Sequence, residues 1–240
     1  MTNATPAPDE RARDHLAIAL DVPSLDDAVE LARAVAPWFG VAKVGLELYS
    51  AAGPATVEPL TDLGLGVFCD LKLHDIPTTV GRAARVLGRL GVAYLNFHAA
   101  GGVDMLRAGV DGVMEGARDA GRAAPVPLAV TVLTSDPDAS AFDARLANAI
   151  QAGCGGVVCS VQEIARVKRA RQDFVAVVPG VRLDGGDVHD QARVGTPAQV
   201  AAAGADVLVV GRAVSAATDR GAAARLVHEL VTDALGRVRV

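Results

Sequence analysis

The chain lacks the sequence features that mark several large classes of protein. It has only three cysteines, Cys69, Cys154 and Cys159, and they form no CxxC or His-linked pattern. Each lies in or beside an apolar run, which predicts reduced core thiols rather than a disulfide framework or a metal site. No apolar run approaches the roughly 18 residues that a membrane helix needs, so no membrane partner is expected.

A basic cluster is also missing. The chain has 23 Lys and Arg residues against 28 Asp and Glu, which gives a net charge of −5. Because nucleic-acid binding proteins carry a basic patch, no nucleic-acid partner is expected. Residues 1–14 are polar, contain proline and lack the apolar centre of a signal peptide. We therefore predict a disordered leader over residues 1–14 and a cytoplasmic protein.

From residue 15 onward, strand-like and helix-like segments alternate regularly. The predicted strands cover residues 15–21, 41–46, 66–72, 93–98, 126–133, 155–159, 174–178 and 206–210. The predicted helices cover residues 24–39, 51–63, 77–90, 102–120, 139–152, 162–171, 197–203 and 222–235, with Ser24 as an N-cap. Eight βα units predict an α/β fold, a single (β/α)8 TIM barrel over residues 15–240. A doubly wound open sheet is the alternative, but no GxGxxG follows the first strand.

One segment, from Asp70 to Thr79, is unusually rich in charge for the end of an apolar strand. Side chains alternate along a strand, so Asp70 and Lys72 are expected on one face. Pro77 suits the first turn of a helix, which puts Asp75 in the turn before it. Charges of alternating sign at a strand end are costly to bury unless they serve a site. An exposed edge strand with a salt bridge is the alternative, but its apolar neighbours favour burial on both faces.

In such barrels the site is built where the strands end. The other residues that the sequence places there, besides Asp70 and Lys72, are Asp21, Lys43, Thr134, Arg182, Gly211 and Arg212. Gly211 and Arg212 follow the eighth strand, where these barrels commonly bind phosphate. A second arginine at a neighbouring strand end, Arg182, would suit the same dianion through charge-assisted hydrogen bonds.

These residues resemble the signature of the orotidine 5′-phosphate decarboxylase family in its shorter, bacterial form. The resemblance spans the chain from His15 onward. It is carried by Asp70-x-Lys72-x-x-Asp75-Ile76-Pro77-x-Thr79, Leu20-Asp21, Lys43-Val44-Gly45, His98-Ala99-Ala100-Gly101-Gly102, Thr131-Val132-Leu133-Thr134-Ser135, Pro179-Gly180-Val181-Arg182, Asp190-Gln191-Ala192-Arg193 and Gly211-Arg212.

The resemblance implies decarboxylation of orotidine 5′-phosphate to UMP, the last step of pyrimidine nucleotide synthesis, with no metal or other cofactor. It implies that Lys72 stabilises a carbanion at C6 and then protonates it. Asp70 would face the departing carboxylate. Lys43 and Asp75 would complete an alternating Lys-Asp-Lys-Asp array.

The resemblance also implies how the substrate is held. Asp21 and Lys43 would bind the ribose hydroxyls and Thr134 the amide edge of the pyrimidine. The residues expected at the phosphate are Arg182, Gln191, Gly211 and Arg212. A homodimer is implied, in which Asp75 and Thr79 reach the site of the partner. His74 and His98 are expected to make structural hydrogen bonds.

Three other functions remain open at this point. Sugar-phosphate lyases of the same superfamily share the Asp-x-Lys-x-x-Asp pattern but need Mg²⁺ to stabilise an enediolate. Pro77-x-Thr79 and Leu133-Thr134-Ser135 favour the pyrimidine enzyme. A phosphate-ligand binding protein without catalysis is the second alternative, although it would have no need to place Lys72 among carboxylates. A subunit-only or scaffolding role is the third, although four ionisable residues at strand ends are hard to reconcile with it.

Overall fold

Eight parallel strands close into a barrel in the computed structural model, which describes residues 8–183 and 195–237. The strands are β1 Leu16–Ala19, β2 Val41–Val44, β3 Gly66–Leu73, β4 Tyr94–His98, β5 Val126–Val130, β6 Gly156–Val158, β7 Val175–Val181 and β8 Val207–Val210. Each strand pairs with its neighbours in the chain, and β8 pairs with β1. The predicted TIM barrel is thereby confirmed, and the open sheet is excluded.

The described helices surround the barrel. They are α1 Glu10–Asp14, α2 Leu25–Val35, α3 Leu46–Ala52, α4 Val57–Thr61, α5 Pro77–Arg89, α6 Gly102–Asp119, α7 Phe142–Gln151, α8 Ile164–Ala170, α9 Pro197–Ala202, α10 Arg212–Ser215 and α11 Arg220–Arg237. Ser24 accepts a hydrogen bond from the Asp27 N–H and caps α2, as predicted. None of the described helices is long and apolar enough to cross a membrane.

The expected helix over residues 51–63 is interrupted in the structure. A 3₁₀ turn, Gly53–Thr56, separates α3 from α4. Gly53 has φ +57°, a left-handed conformation that glycine adopts without steric cost, and Pro54 follows it. Proline also cannot donate its backbone nitrogen to a continuing helix, so a single helix through this point is not possible without a kink.

The expected leader is wrong for residues 10–14, which form the helix α1. Asp9 caps this helix by accepting from the Ala12 N–H, and Ala12 is fully buried. Arg13 donates to the carbonyl of Ala36, at the C-terminal end of α2, and to that of Gly64, in the turn before β3. The polar composition of this segment thus reflects side chains that bind backbone groups. Residues 1–7 lie outside the described part of the chain.

The core has two parts. Small and branched side chains fill the barrel interior together with Phe68, whose ring centroid lies 6.0 Å from that of Tyr94. A larger apolar layer lies between the strands and the helices. All three cysteines are buried and none forms a disulfide, as predicted, and burial raises the pKa of the Cys69 thiol to about 12. Burial has the same effect on Cys154, so Cys69 and Cys154 remain protonated and act as packing groups.

Candidate active site

A cavity of about 300 Å³ opens where the strands end. Its apolar floor includes Ala19, Phe68 and Val130 from the barrel interior. The predicted site residues that line it are Asp21, Lys43, Asp70, Lys72, Thr134, Arg182, Gly211 and Arg212. The structure therefore brings together residues from six strand ends that are far apart in the sequence.

A chain of alternating charges occupies one wall of the cavity. Lys43 Nζ lies 3.1 Å from Asp21 Oδ1 and 3.4 Å from Asp70 Oδ2, while Lys72 Nζ lies 2.6 Å from Asp70 Oδ1. Burial pushes the pKa of Asp70 upward, but the charges of both lysines and the hydrogen bonds to its oxygens outweigh that effect and lower it. Asp70 is consequently a carboxylate at neutral pH, held between two ammonium groups.

The backbone of β3 is irregular at the position of Lys72. Cys69 pairs with Leu95 and Leu73 pairs with Phe97, so three residues of β3 face the single residue Asn96 of β4. Lys72 has φ +49° and is the only non-glycine residue with a positive φ in the part of the chain that the structure describes. Simple alternation therefore does not describe residues 70–72, although Asp70 and Lys72 still meet in the cavity.

Asn96 contacts both charged residues at this bulge. Its Oδ1 accepts from the Lys72 N–H at 2.7 Å, and its Nδ2 donates to Asp70 Oδ1 at 2.7 Å. The side chain is fully buried. Sequence reasoning missed Asn96. The available signal was a polar residue in the middle of the otherwise apolar strand 94–97.

Two arginines form the opposite, positively charged side of the cavity. Burial and the nearby charge of Arg212 both lower the pKa of Arg182. The Arg182 Nε is buried, and no acceptor for it is found among the described residues. Two close cations with an unsatisfied buried donor form a site suited to an anion, because a charged acceptor satisfies the donor and offsets the repulsion.

Two predicted site residues, Asp75 and Thr79, are described by the structure and do not line this cavity. Asp75 is exposed in the turn after β3, where it accepts from the Ile76 N–H at 2.6 Å, and Thr79 is exposed in the first turn of α5. Within one chain, the outer member of the charge array is therefore Asp21 rather than Asp75. Gln191, with the rest of residues 184–194, lies outside the described residues.

The two histidines near the site have structural contacts. The rings of His74 and His98 stack with centroids 5.4 Å apart, and His98 Nδ1 accepts from the Ala100 N–H at 3.2 Å. Burial, together with the charge of Arg145, lowers the pKa of His98. The neutral ring that this hydrogen bond needs is thus favoured, in agreement with the structural role expected from the sequence.

The fold and its cavity define a (β/α)8-barrel enzyme with an acid–base cluster facing a basic corner. Residues 14–227 match the family described as "Orotidine 5'-phosphate decarboxylase / HUMPS family", and the chain belongs to that family. This finding confirms the resemblance read from the motifs.

Individual relatives agree with the family assignment. An orotidine 5′-phosphate decarboxylase of Heliobacterium modesticaldum is 44% identical, covering 94% of this chain and 99% of its own. One from Anaeromyxobacter dehalogenans is 50% identical, covering 89% and 96%. The crystal structure of orotidine 5′-phosphate decarboxylase from Lactobacillus acidophilus superposes with a TM-score of 0.77 at 31% identity, covering 90% of this chain and 98% of that one.

Proposed function

We propose that this chain decarboxylates orotidine 5′-phosphate to UMP and CO₂, without a metal or other cofactor, in the synthesis of pyrimidine nucleotides. The observation that carries the proposal is the Lys72 ammonium, 2.6 Å from the Asp70 carboxylate in a cavity whose far side holds Arg182 and Arg212. A cation for the reacting carbon and two for the phosphate are thus available in one site.

The reaction needs a cation beside C6. When the bond from C6 to the carboxylate breaks, the electron pair stays on C6 in the plane of the ring, where no π-system can receive it. Stabilisation must then be electrostatic, from groups already in place. We assign this role to Lys72, whose side chain lines the cavity and is about a third exposed. An N–H bond of its ammonium breaks as the C6–H bond forms, and solvent later returns the proton.

Asp70 acts on the other end of the breaking bond. Its lowered pKa keeps it ionised, so in the bound complex it faces the substrate carboxylate with a charge of the same sign. Departure of neutral CO₂ removes that repulsion, while the attraction between Asp70 and Lys72 remains. The fixed pair therefore favours the transition state over the bound substrate.

The remaining residues of the cavity hold the substrate. We assign the ribose hydroxyls to Asp21 and Lys43, which already share a hydrogen bond of 3.1 Å at the cavity edge. Thr134, after β5, is assigned to the pyrimidine amide edge. The residues assigned to the phosphate are Arg182, Gln191, Gly211 and Arg212.

A homodimer is part of the proposal. Asp75 and Thr79 are exposed beside their own cavity, and Ile76 between them is an exposed apolar residue, 66% accessible. Such a surface is suited to contact with a second copy, which would place Asp75 near the partner's Lys-Asp pair. We also propose a cytoplasmic location.

The direct test is the absorbance of orotidine 5′-phosphate during incubation with the purified protein, with and without EDTA. We expect turnover that the chelator leaves unchanged and that Lys72→Ala reduces by several orders of magnitude, since its contact develops mainly in the transition state. Lys168→Ala is the matched control, because Lys168 makes an equally short ion pair of 2.6 Å with Asp206 away from the cavity.

Two results would contradict this proposal. Turnover abolished by EDTA and restored by Mg²⁺ would favour the chemistry of the sugar-phosphate lyases. Retention of about a tenth of wild-type activity in Lys72→Ala would exclude Lys72 as the proton donor.

A further inference from the structure

We infer that Asn96 is a positioning residue for the decarboxylation, holding both the backbone of Lys72 and the carboxylate of Asp70 in their working geometry. The inference rests on the proposed function for its kinetic consequence. Its structural basis is independent of that function, because one fully buried side chain makes a 2.7 Å hydrogen bond to each of the two charged residues.

The backbone at Lys72 needs such a contact. A left-handed conformation is costly for a residue with a Cβ, and it persists only where the surroundings enforce it. At the bulge, three residues of β3 face Asn96 alone. The Lys72 N–H, displaced from regular pairing, is satisfied by Asn96 Oδ1. Removing this acceptor would leave a buried donor unpaired and free the strand to relax toward regular geometry.

The chemistry of the amide suits this position. It presents an acceptor to the Lys72 N–H and a donor to Asp70 Oδ1 at the same time, and it carries no charge. Lys72 Nζ binds the same Asp70 oxygen at 2.6 Å. Asn96 thus fixes the carboxylate from one side and the main chain of its cationic partner from the other. A displacement of about 1 Å at such a group can cost about a hundredfold in rate.

The first test is Asn96→Ala, which removes both hydrogen bonds. We expect kcat for orotidine 5′-phosphate to fall at least about thirtyfold because Lys72 and Asp70 lose their positions. KM should change less than about threefold, since the arginines at the far side of the cavity are untouched. Thr131→Val is the control. It deletes another fully buried hydrogen bond, which joins the Thr131 hydroxyl after β5 to the Val158 carbonyl of β6 at 3.1 Å. This variant should keep kcat within about twofold of wild type.

The second test is the pH dependence of kcat in Asn96→Asp, which a loss of stability alone would not change in the way that a second carboxyl does. The new carboxyl faces the Asp70 carboxylate, with Lys43 and Lys72 as the other charged groups around it. Two carboxylates in one site bind a shared proton with a raised pKa. While that proton is present, the introduced group can still donate to Asp70 and accept from Lys72. We therefore expect kcat near that of wild type at low pH and an added fall as pH rises.

Several outcomes would overturn the inference. One is a kcat of Asn96→Ala that stays within about threefold of wild type after correction for the folded fraction, measured by circular dichroism. An Asn96→Asp pH profile parallel to that of wild type is another, and it decides the matter if the alanine variant does not fold. If wild type itself fails to turn over the nucleotide, the proposed function is wrong. In that case, hydrogen exchange of the Lys72 backbone amide still tests its contact with Asn96. Equal exchange rates in the wild type and in Asn96→Ala would refute that contact.

Discussion

Replacing Arg212 by alanine tests the proposed phosphate contacts without changing Asp70 or Lys72. Arg212 begins α10, directly after β8, and lies with Arg182 across the cavity from Lys72. The substrate phosphate is remote from C6, so its binding contributes to the rate only by holding and enclosing the substrate. Arg212→Ala should therefore affect substrates that carry phosphate and spare those that do not.

The size of the effect follows from the electrostatics of the arginine pair. A hydrogen bond between a guanidinium and a phosphate contributes about 1.5–3 kcal/mol, or about 10- to 150-fold in kcat/KM. Part of this loss is offset, because Arg212 lowers the pKa of Arg182 and its removal relieves that repulsion. We therefore expect a decrease of about 10- to 50-fold for the nucleotide.

The assay compares kcat/KM for orotidine 5′-phosphate and for the phosphate-free nucleoside orotidine. The nucleoside, although much slower, should change less than about threefold in Arg212→Ala. Arg107→Ala is the control, since Arg107 lies on α6 and pairs with Asp104 at the surface. Equal proportional losses for nucleotide and nucleoside would mean that Arg212 supports the fold or the pyrimidine site, and the phosphate assignment would be wrong.

Two further predictions concern the partner subunit and pH. Mixing inactive Lys72→Ala and Asp75→Asn proteins should restore up to about a quarter of wild-type activity if Asp75 crosses between subunits, because each mixed dimer then has one intact site. No recovery after verified exchange would place Asp75 in its own site. Burial lowers the pKa of His98 below its ordinary value of 6.5, so the stability contributed by its neutral form is present above pH 6.5 and lost as pH falls below it. Tm of the wild type should therefore drop between pH 7 and 5, and Tm of His98→Gln should drop less steeply. Parallel slopes of Tm against pH in the two proteins would contradict this assignment.

The barrel could be predicted because the sequence pattern that specifies its strands and helices is periodic and local. Eight apolar runs alternate with helical segments, and a closed parallel sheet is the arrangement that buries all of them. The helix boundaries that were predicted wrongly depend on single residues. Gly53 and Pro54 interrupt a helix within a continuous apolar pattern. Residues 10–14 look like a polar leader, although Arg13 uses its polarity to bind two loop carbonyls.

The cavity residues were predictable for a related reason. Strand ends in a parallel barrel meet at one face, so charged residues there converge whatever their separation in sequence. That rule places Asp21, Lys43, Asp70 and Lys72 together, as the structure does. It does not say which carboxylate pairs with which lysine. It also gives no position relative to a second subunit, which is why the role of Asp75 stays a prediction.

What the sequence pattern could not supply is the irregularity on which the site depends. A regular strand advances about 6.6 Å over two residues with all its N–H groups in the ladder. At Lys72 the chain instead turns through φ +49°, its N–H binds Asn96, and its ammonium approaches Asp70 to 2.6 Å. A left-handed residue costs of order 1–3 kcal/mol, so it requires a compensating contact from outside its own strand. That contact comes from β4, and nothing in the alternation of side chains along β3 indicates it. Asp70 and Lys72 are therefore encoded by one strand, and their geometry by its neighbour.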